Sequence, residues 1–88
     1  MHKIVKKKIT VKNKQGLHAR PAALFVQMAN RFDSKITISK DDQEVNGKSI
    51  MGILMLAAEK DSQIEIVAEG DDAQEAISIL EELVSKDE

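Results

Sequence analysis

His18 and Arg20 are the residues of this chain best placed to do chemistry, and both sit in one short run, Gly16-Leu17-His18-Ala19-Arg20-Pro21. The run falls where a strand-like pattern ends and a helix-like pattern begins. The first turn of a helix leaves backbone N–H groups without partners and carries a partial positive charge, so it favours anions. A neutral imidazole there can attack a phosphorus centre, while the free N–H groups and Arg20 hold the oxygens of the transferred group. An imidazole in water is mostly unprotonated at neutral pH, so this chemistry needs no separate general base. Pro21 suits the first turn because the N–H it lacks would have had no helical partner. The run reads as a histidine set up to carry a phosphoryl group. A histidine at a helix start also serves as an ordinary cap or surface residue, so the reading needs support from elsewhere in the chain.

A second run, Asn46-Gly47-Lys48-Ser49-Ile50-Met51-Gly52, provides it. Ser49 opens a short apolar segment, where its hydroxyl can accept a bond from a free backbone N–H. For an isolated serine, simple capping is the default explanation. The functional alternative is regulatory phosphorylation, which adds about two negative charges to the surface and repels a partner that prefers a neutral or basic one. Such a phosphate would also suit the positive end of a helix. The residues beside Ser49 bear on the choice. Ile50, Met51, Leu54 and Met55 cannot all face inward on so short a helix, so some form an exposed apolar docking patch. Methionine suits a surface that must fit several partners.

The elements that position these runs follow from hydrophobic periodicity. Ile4 to Val11 alternates loosely, with Val5, Ile9 and Val11 on one face, and predicts a first strand. Asn13 to Gly16 is a turn. From Ala19 to about Arg31 the period becomes helical through Ala22, Phe25, Val26 and Ala29. Asp33-Ser34 breaks that pattern. Lys35 to Ser39 alternates, burying Ile36 and Ile38, and Asp41-Asp42-Gln43 closes a hairpin onto Glu44-Val45-Asn46. The segment after Ser49 is a short helix. Gln63 to Glu69 alternates again, with Ile64, Ile66 and Ala68 inward. Gly70-Asp71-Asp72 ends that strand and offers an N-cap to a final helix through Ala73, Ala76, Ile77, Leu80, Leu83 and Val84. Only one face of each strand is apolar. The expected fold is therefore α+β, an open-faced β-sandwich with a four-stranded antiparallel sheet and three helices on one face, in the order βαββαβα. The 88 residues form a single domain, 1–88, with no repeat, linker or low-complexity tract.

Composition narrows the function classes. The chain has no cysteine, which removes disulfides, thiolate zinc sites and cysteine nucleophiles together and fits a reducing compartment. Thirteen basic and fifteen acidic residues give a net charge of −2, but their distribution is uneven. The stretch through Arg20 carries Lys3, Lys6, Lys7, Lys8, Lys12 and Lys14 with no acid, whereas the chain from Glu69 onward is strongly acidic. The basic end suits an acidic partner, and Lys6 to Lys8 equally suit a lysine-guarded strand edge. No apolar run approaches the roughly 20 residues of a membrane span, and the N-terminus lacks a signal-peptide core. A cytoplasmic protein without membrane insertion is expected. An RNA-binding sheet needs exposed aromatic rings. Here the only aromatics, Phe25 and Phe32, fall in or beside a helix, so no direct nucleic-acid contact is expected. A small-molecule regulatory domain leaves His18 and Arg20 without a purpose. Two histidines far apart make no metal site, no cofactor is implied, and His2 is expected to have no role.

Gly16-Leu17-His18-Ala19-Arg20-Pro21-Ala22 and Lys48-Ser49-Ile50-Met51-Gly52, at this separation and in this order of elements, resemble the two signature segments of the HPr family. These are the histidine phosphocarriers of the bacterial phosphoenolpyruvate-dependent sugar phosphotransferase system, and the resemblance spans essentially the whole chain. It implies that His18 accepts a phosphoryl group through Nδ1 from Enzyme I and passes it to enzyme IIA proteins. It further implies that Arg20 helps hold the phosphate and engages partners, and that Pro21 fixes the helix start. Ser49 matches the serine that a dedicated HPr kinase/phosphorylase modifies in many Gram-positive bacteria. Family members phosphorylated there slow sugar transport and act as corepressor with the catabolite-control regulator. Ile50, Met51 and Leu54 match the docking patch around that serine. The resemblance thus implies a carrier phosphorylated by partner enzymes, not an enzyme with its own substrate. Crh-type paralogues keep the serine and replace the active histidine by glutamine, and Ala22-Ala23-Leu24-Phe25-Val26-Gln27 occurs in them too. A chiefly regulatory role, Crh-like or nitrogen-type, acting through Ser49 and partner binding, is therefore the alternative. His18 is present, so carrier activity is expected. Met55-Leu56-Ala57-Ala58 departs from the usual serine or threonine before the leucine, which bears on regulator binding and not on carriage.

Overall fold

In β4 (Gln63–Glu69) Ile64, Ile66 and Ala68 are buried and the residues between them are not, as strict alternation requires of a strand with one covered face. This strand lies inside the sheet of the computed structural model, which describes residues 3–86. His2 falls outside the described residues. β4 pairs antiparallel with β1 (Ile4–Thr10) on one side and with β2 (Lys35–Lys40) on the other, and β2 pairs with β3 (Gln43–Asn46). The strand order is β1-β4-β2-β3. The register aligns Val5, Ala68 and Ile36 in one row and Ile66, Ile38 and Val45 in another. All of these side chains therefore point to the same face, and three helices cover it: α1 (Ala19–Ala29), α2 (Ile50–Met55) and α3 (Ala73–Ser85). The helices and strands alternate as expected, and the other face of the sheet is open.

The core follows from the two long helices. α1 contributes Ala22, Phe25, Val26 and Ala29, and α3 contributes Ala73, Ala76, Ile77, Leu80 and Val84. α1 packs on both α2 and α3, and α3 lies across β1 and β4. Both phenylalanines are buried, so the open face carries no ring on which a base could stack. β1 is an edge strand, and its Lys6 and Lys8 stand on the open face, where charges discourage further strand pairing. Lys7 stands on the covered face. Its ammonium reaches Glu81 of α3 at 3.5 Å. No helix among the described residues is long and apolar enough to cross a membrane.

Several details differ from the periodic reading: β2 runs on to Lys40, and β3 begins at Gln43, a residue the pattern places in the turn. β1 ends at Thr10, one residue short, yet Val11 is fully buried. The Val11 N–H donates to the Ser62 carbonyl at 2.9 Å, and the Val11 carbonyl accepts from the Asp61 N–H at 2.7 Å. α1 ends at Ala29, and Arg31 and Phe32 close its last turn with tighter bonds to Met28 and Ala29. Asp72 stands at the N-cap of α3, but its side chain makes no cap bond. Its carboxylate instead accepts from the backbone N–H groups of Asp33 (2.8 Å) and Ser34 (3.0 Å) and from the Ser34 hydroxyl. The Ser34 hydroxyl, followed by the Asp33 amide, holds the Asp72 carboxyl below its ordinary range. This clip ties the loop after α1 to the loop before α3.

Candidate functional site

The backbone that presents His18 is fixed before the helix begins. The Gly16 N–H donates to the Asn13 carbonyl at 3.0 Å, and the Leu17 N–H donates to the Ala58 carbonyl at 2.9 Å. Gly16 has φ +73°, and a Cβ there would come within 2.3 Å of the Ala58 carbonyl oxygen. Only glycine fits both conditions. Leu17 is buried, so the chain is pinned on the residue next to the histidine.

His18 is the N-cap of α1, with an extended backbone (φ −85°, ψ −168°) and an imidazole that makes no capping bond. His18 is solvent-exposed and its ring makes no hydrogen bond among the described residues. The Ala22 N–H, bonded to the His18 carbonyl at 2.9 Å, opens the helical ladder. Pro21 is buried at the third helical position and has no N–H, so the amides of Ala19 and Arg20 carry the positive end of the helix. The first turn holds no acidic residue that would neutralise it. His18, Arg20 and Pro21 all border a groove of about 390 Å³ between α1 and α3, with Leu24, Met28, Ile79 and Leu83 among its apolar lining. An exposed nucleophilic nitrogen, a guanidinium two residues on and an uncompensated helix dipole together suit a transferable dianion.

Ser49 is the N-cap of α2, and its Oγ accepts from the Gly52 N–H at 3.0 Å. The capping expected of this serine is present, and the residue is partly exposed. Around it, Ile50 (42% exposed), Met51 (69%) and Met55 (64%) face outward, whereas Ile53 is fully buried. Leu54 packs against the core and is only partly exposed. The apolar patch expected beside Ser49 exists, carried by Ile50, Met51 and Met55 more than by Leu54.

His18, Arg20 and Pro21 thus share one groove, while Ser49, Ile50, Met51 and Leu54 belong to another helix. No hydrogen bond or ion pair among the described residues joins the two sets. Lys48 is a residue whose role sequence reasoning did not find. Its ammonium donates to the Phe32 carbonyl at 2.8 Å, anchoring the start of α2 to the turn that ends α1. Gln43 does a similar job from β3, donating to the Met55 carbonyl. Both partners are distant in sequence, and no local pattern marks them.

A family model described as the phosphotransferase-system HPr component phosphorylation site matches residues 5–86. The chain belongs to the HPr family. The HPr-like protein Crh of Halalkalibacterium halodurans is 52% identical over 84 residues, covering 96% of this chain and 100% of that protein. The phosphocarrier protein HPr of Treponema pallidum is 51% identical over 80 residues, covering 91% of each. The crystal structure of a phosphocarrier protein HPr from Bacillus anthracis superposes with a TM-score of 0.89 at 54% identity, covering 92% of this chain and 96% of that one. The open-faced sandwich described above is the fold of this HPr-family chain and of its solved relatives.

Proposed function

We propose that this chain carries a phosphoryl group on His18, taken from phosphorylated Enzyme I and passed to enzyme IIA proteins. The observation that carries the reading is the exposed, uncapped imidazole of His18 at the start of α1, with Arg20 in the same first turn. In the forward step the lone pair of one ring nitrogen attacks phosphorus, a nitrogen–phosphorus bond forms, and the bond from phosphorus to the donor breaks. The Ala19 and Arg20 amides and the Arg20 guanidinium face the oxygens of the group in flight. In the onward step the labile nitrogen–phosphorus bond breaks as an acceptor nucleophile attacks phosphorus, and the imidazole leaves with its lone pair restored. The protein catalyses nothing by itself; its partners supply the rest of each active site. We further propose that phosphorylation of Ser49 by an HPr kinase/phosphorylase regulates this traffic, and that the modified chain binds the catabolite-control regulator. A phosphate there adds charge beside Ile50 and Met51, the surface on which partners dock.

The test is incubation with Enzyme I, magnesium and phosphoenolpyruvate, followed by assay for an acid-labile phosphoryl group. Labelling of the wild type and its loss in His18→Ala support the reading; equal labelling of both refutes it. A chiefly regulatory role is the second reading, favoured by the 52% identity to a Crh protein. It requires that His18 stay unlabelled under those conditions while Ser49 takes an acid-stable phosphate from the kinase and ATP.

A further inference from the structure

Met51 and Met55 stand four residues apart on α2, so their side chains share one face of the helix. They are the two most exposed large apolar side chains among the described residues, at 69% and 64%. Their thioethers are also the most readily oxidised groups on that surface, because the chain contains no Cys, Trp or Tyr. Met28 is partly buried in the groove between α1 and α3 and is correspondingly shielded. The short helix itself does not depend on the two methionines. It is anchored by Ile53, by Leu54 against the core and by the Ser49 cap.

We propose that Met51 and Met55 form a reversible oxidation site that detaches α2 from its protein partners while leaving His18 chemically competent. The proposal rests on reading α2 as the docking face. A hydroperoxide is the oxidant. The sulfur lone pair attacks one peroxide oxygen, a sulfur–oxygen bond forms and the oxygen–oxygen bond breaks. With hydrogen peroxide, water leaves; each sulfur gives up two electrons and the peroxide takes them. The product is a polar sulfoxide where an apolar, adaptable side chain stood. A partner that covered the thioethers must now bury a strong acceptor without a matching donor, which opposes docking. This input changes polarity without adding charge, which distinguishes it from phosphorylation at Ser49.

The test treats the full chain with dilute hydrogen peroxide and locates the added oxygen by tryptic mapping. Met51 and Met55 share the peptide 49–60, and Met28 lies in a different one. Phosphoryl transfer to His18 is then measured from two donors: phosphorylated Enzyme I at subsaturating concentration, and phosphoramidate, a small donor that needs no docking face. Oxidation is expected in peptide 49–60 first. It should slow labelling by the protein donor about tenfold, the equivalent of about 1.4 kcal/mol of lost binding, and leave labelling by phosphoramidate unchanged. A chain carrying Met51→Leu and Met55→Leu should be labelled by Enzyme I at the same rate before and after peroxide, whatever its starting rate. Reduction of the sulfoxides by a thiol-dependent methionine sulfoxide reductase should restore the untreated rate to the oxidised wild type. Oxidation of Met28 ahead of the pair, unchanged labelling by the protein donor, or equal peroxide sensitivity of the double variant overturns the proposal. So does a parallel fall with both donors, which means damage to the fold or to His18. If the untreated chain is labelled by phosphoramidate and not by Enzyme I, the docking reading itself fails.

Discussion

The helices α1 and α2 both begin at a polar residue in extended conformation, but the two starts are built for different tasks. At α2 the Ser49 hydroxyl is engaged with the Gly52 N–H at 3.0 Å, so the residue stabilises its own helix. At α1 the His18 ring makes no bond to the first turn, and that turn contains a proline and no acid. One start spends its polar group on structure; the other keeps its side chain out of any cap bond. Helix ends left without partners are normally satisfied by caps or water. The uncapped end of α1 sits on a backbone pinned by Gly16 and Leu17, which is what the proposed carrier role of His18 requires.

The largest way to break this contrast is to disturb the loop that leads into α1. Gly16→Ala places a Cβ against the Ala58 backbone at a positive φ, and is expected to cost about 2–5 kcal/mol in chemical denaturation. It should also slow labelling of His18, because the carbonyl that pins Leu17 must move. Unchanged stability would show that the loop is not the rigid support described.

A smaller effect sharpens the contrast directly. Ser49→Ala removes a helix cap and should lower stability by about 1 kcal/mol. His18→Ala removes no bond and should change it by less than about 0.5 kcal/mol. Equal losses in urea titrations of the two variants would mean that His18 is structural after all.

The smallest effect concerns the far side of the molecule, where Asp72 clips two loops. Its carboxyl is held below the ordinary value of 3.8, so the folded state binds its proton less tightly than the unfolded chain. Its contribution is complete well above that pH and fades as the pH falls through the folded-state value. Asp72→Asn should therefore show a shallower loss of stability on acidification, seen as urea midpoints that converge with the wild type at low pH. Parallel curves would remove Asp72 from the acid response. Labelling of His18 should be the same in both proteins.

The fold was legible because each strand with a covered face alternates, and because α1 and α3 repeat apolar residues at helical spacing. Ile64, Ile66 and Ala68, and likewise Ala76, Ile77 and Leu80, are buried where periodicity placed them. The positions of His18 and Ser49 at helix starts were legible for the same reason. Long-range partners were not. Asp72 satisfies every local rule for an N-cap, yet its oxygens serve Asp33 and Ser34, 39 and 38 positions away in the chain. Lys48 looks like part of a surface motif and in fact caps the turn after α1. Asn13 reads as a turn residue and is buried, with a side-chain oxygen that has no partner among the described residues. Ala57, in the stretch that departs from the family pattern, takes a positive φ of 50°. The sequence around it carries no sign of a left-handed residue. Such features arise when loops meet in space, and periodicity does not reach them.

The most direct test of His18 as the carrier is nuclear magnetic resonance of the chain with isotope-labelled histidine, recorded before and after incubation with Enzyme I and phosphoenolpyruvate. A phosphorus–nitrogen coupling should appear on one ring nitrogen of His18 and vanish when an acceptor protein is added. A phosphoryl group found on Ser49, or no coupling on any imidazole while label is incorporated, would contradict the account.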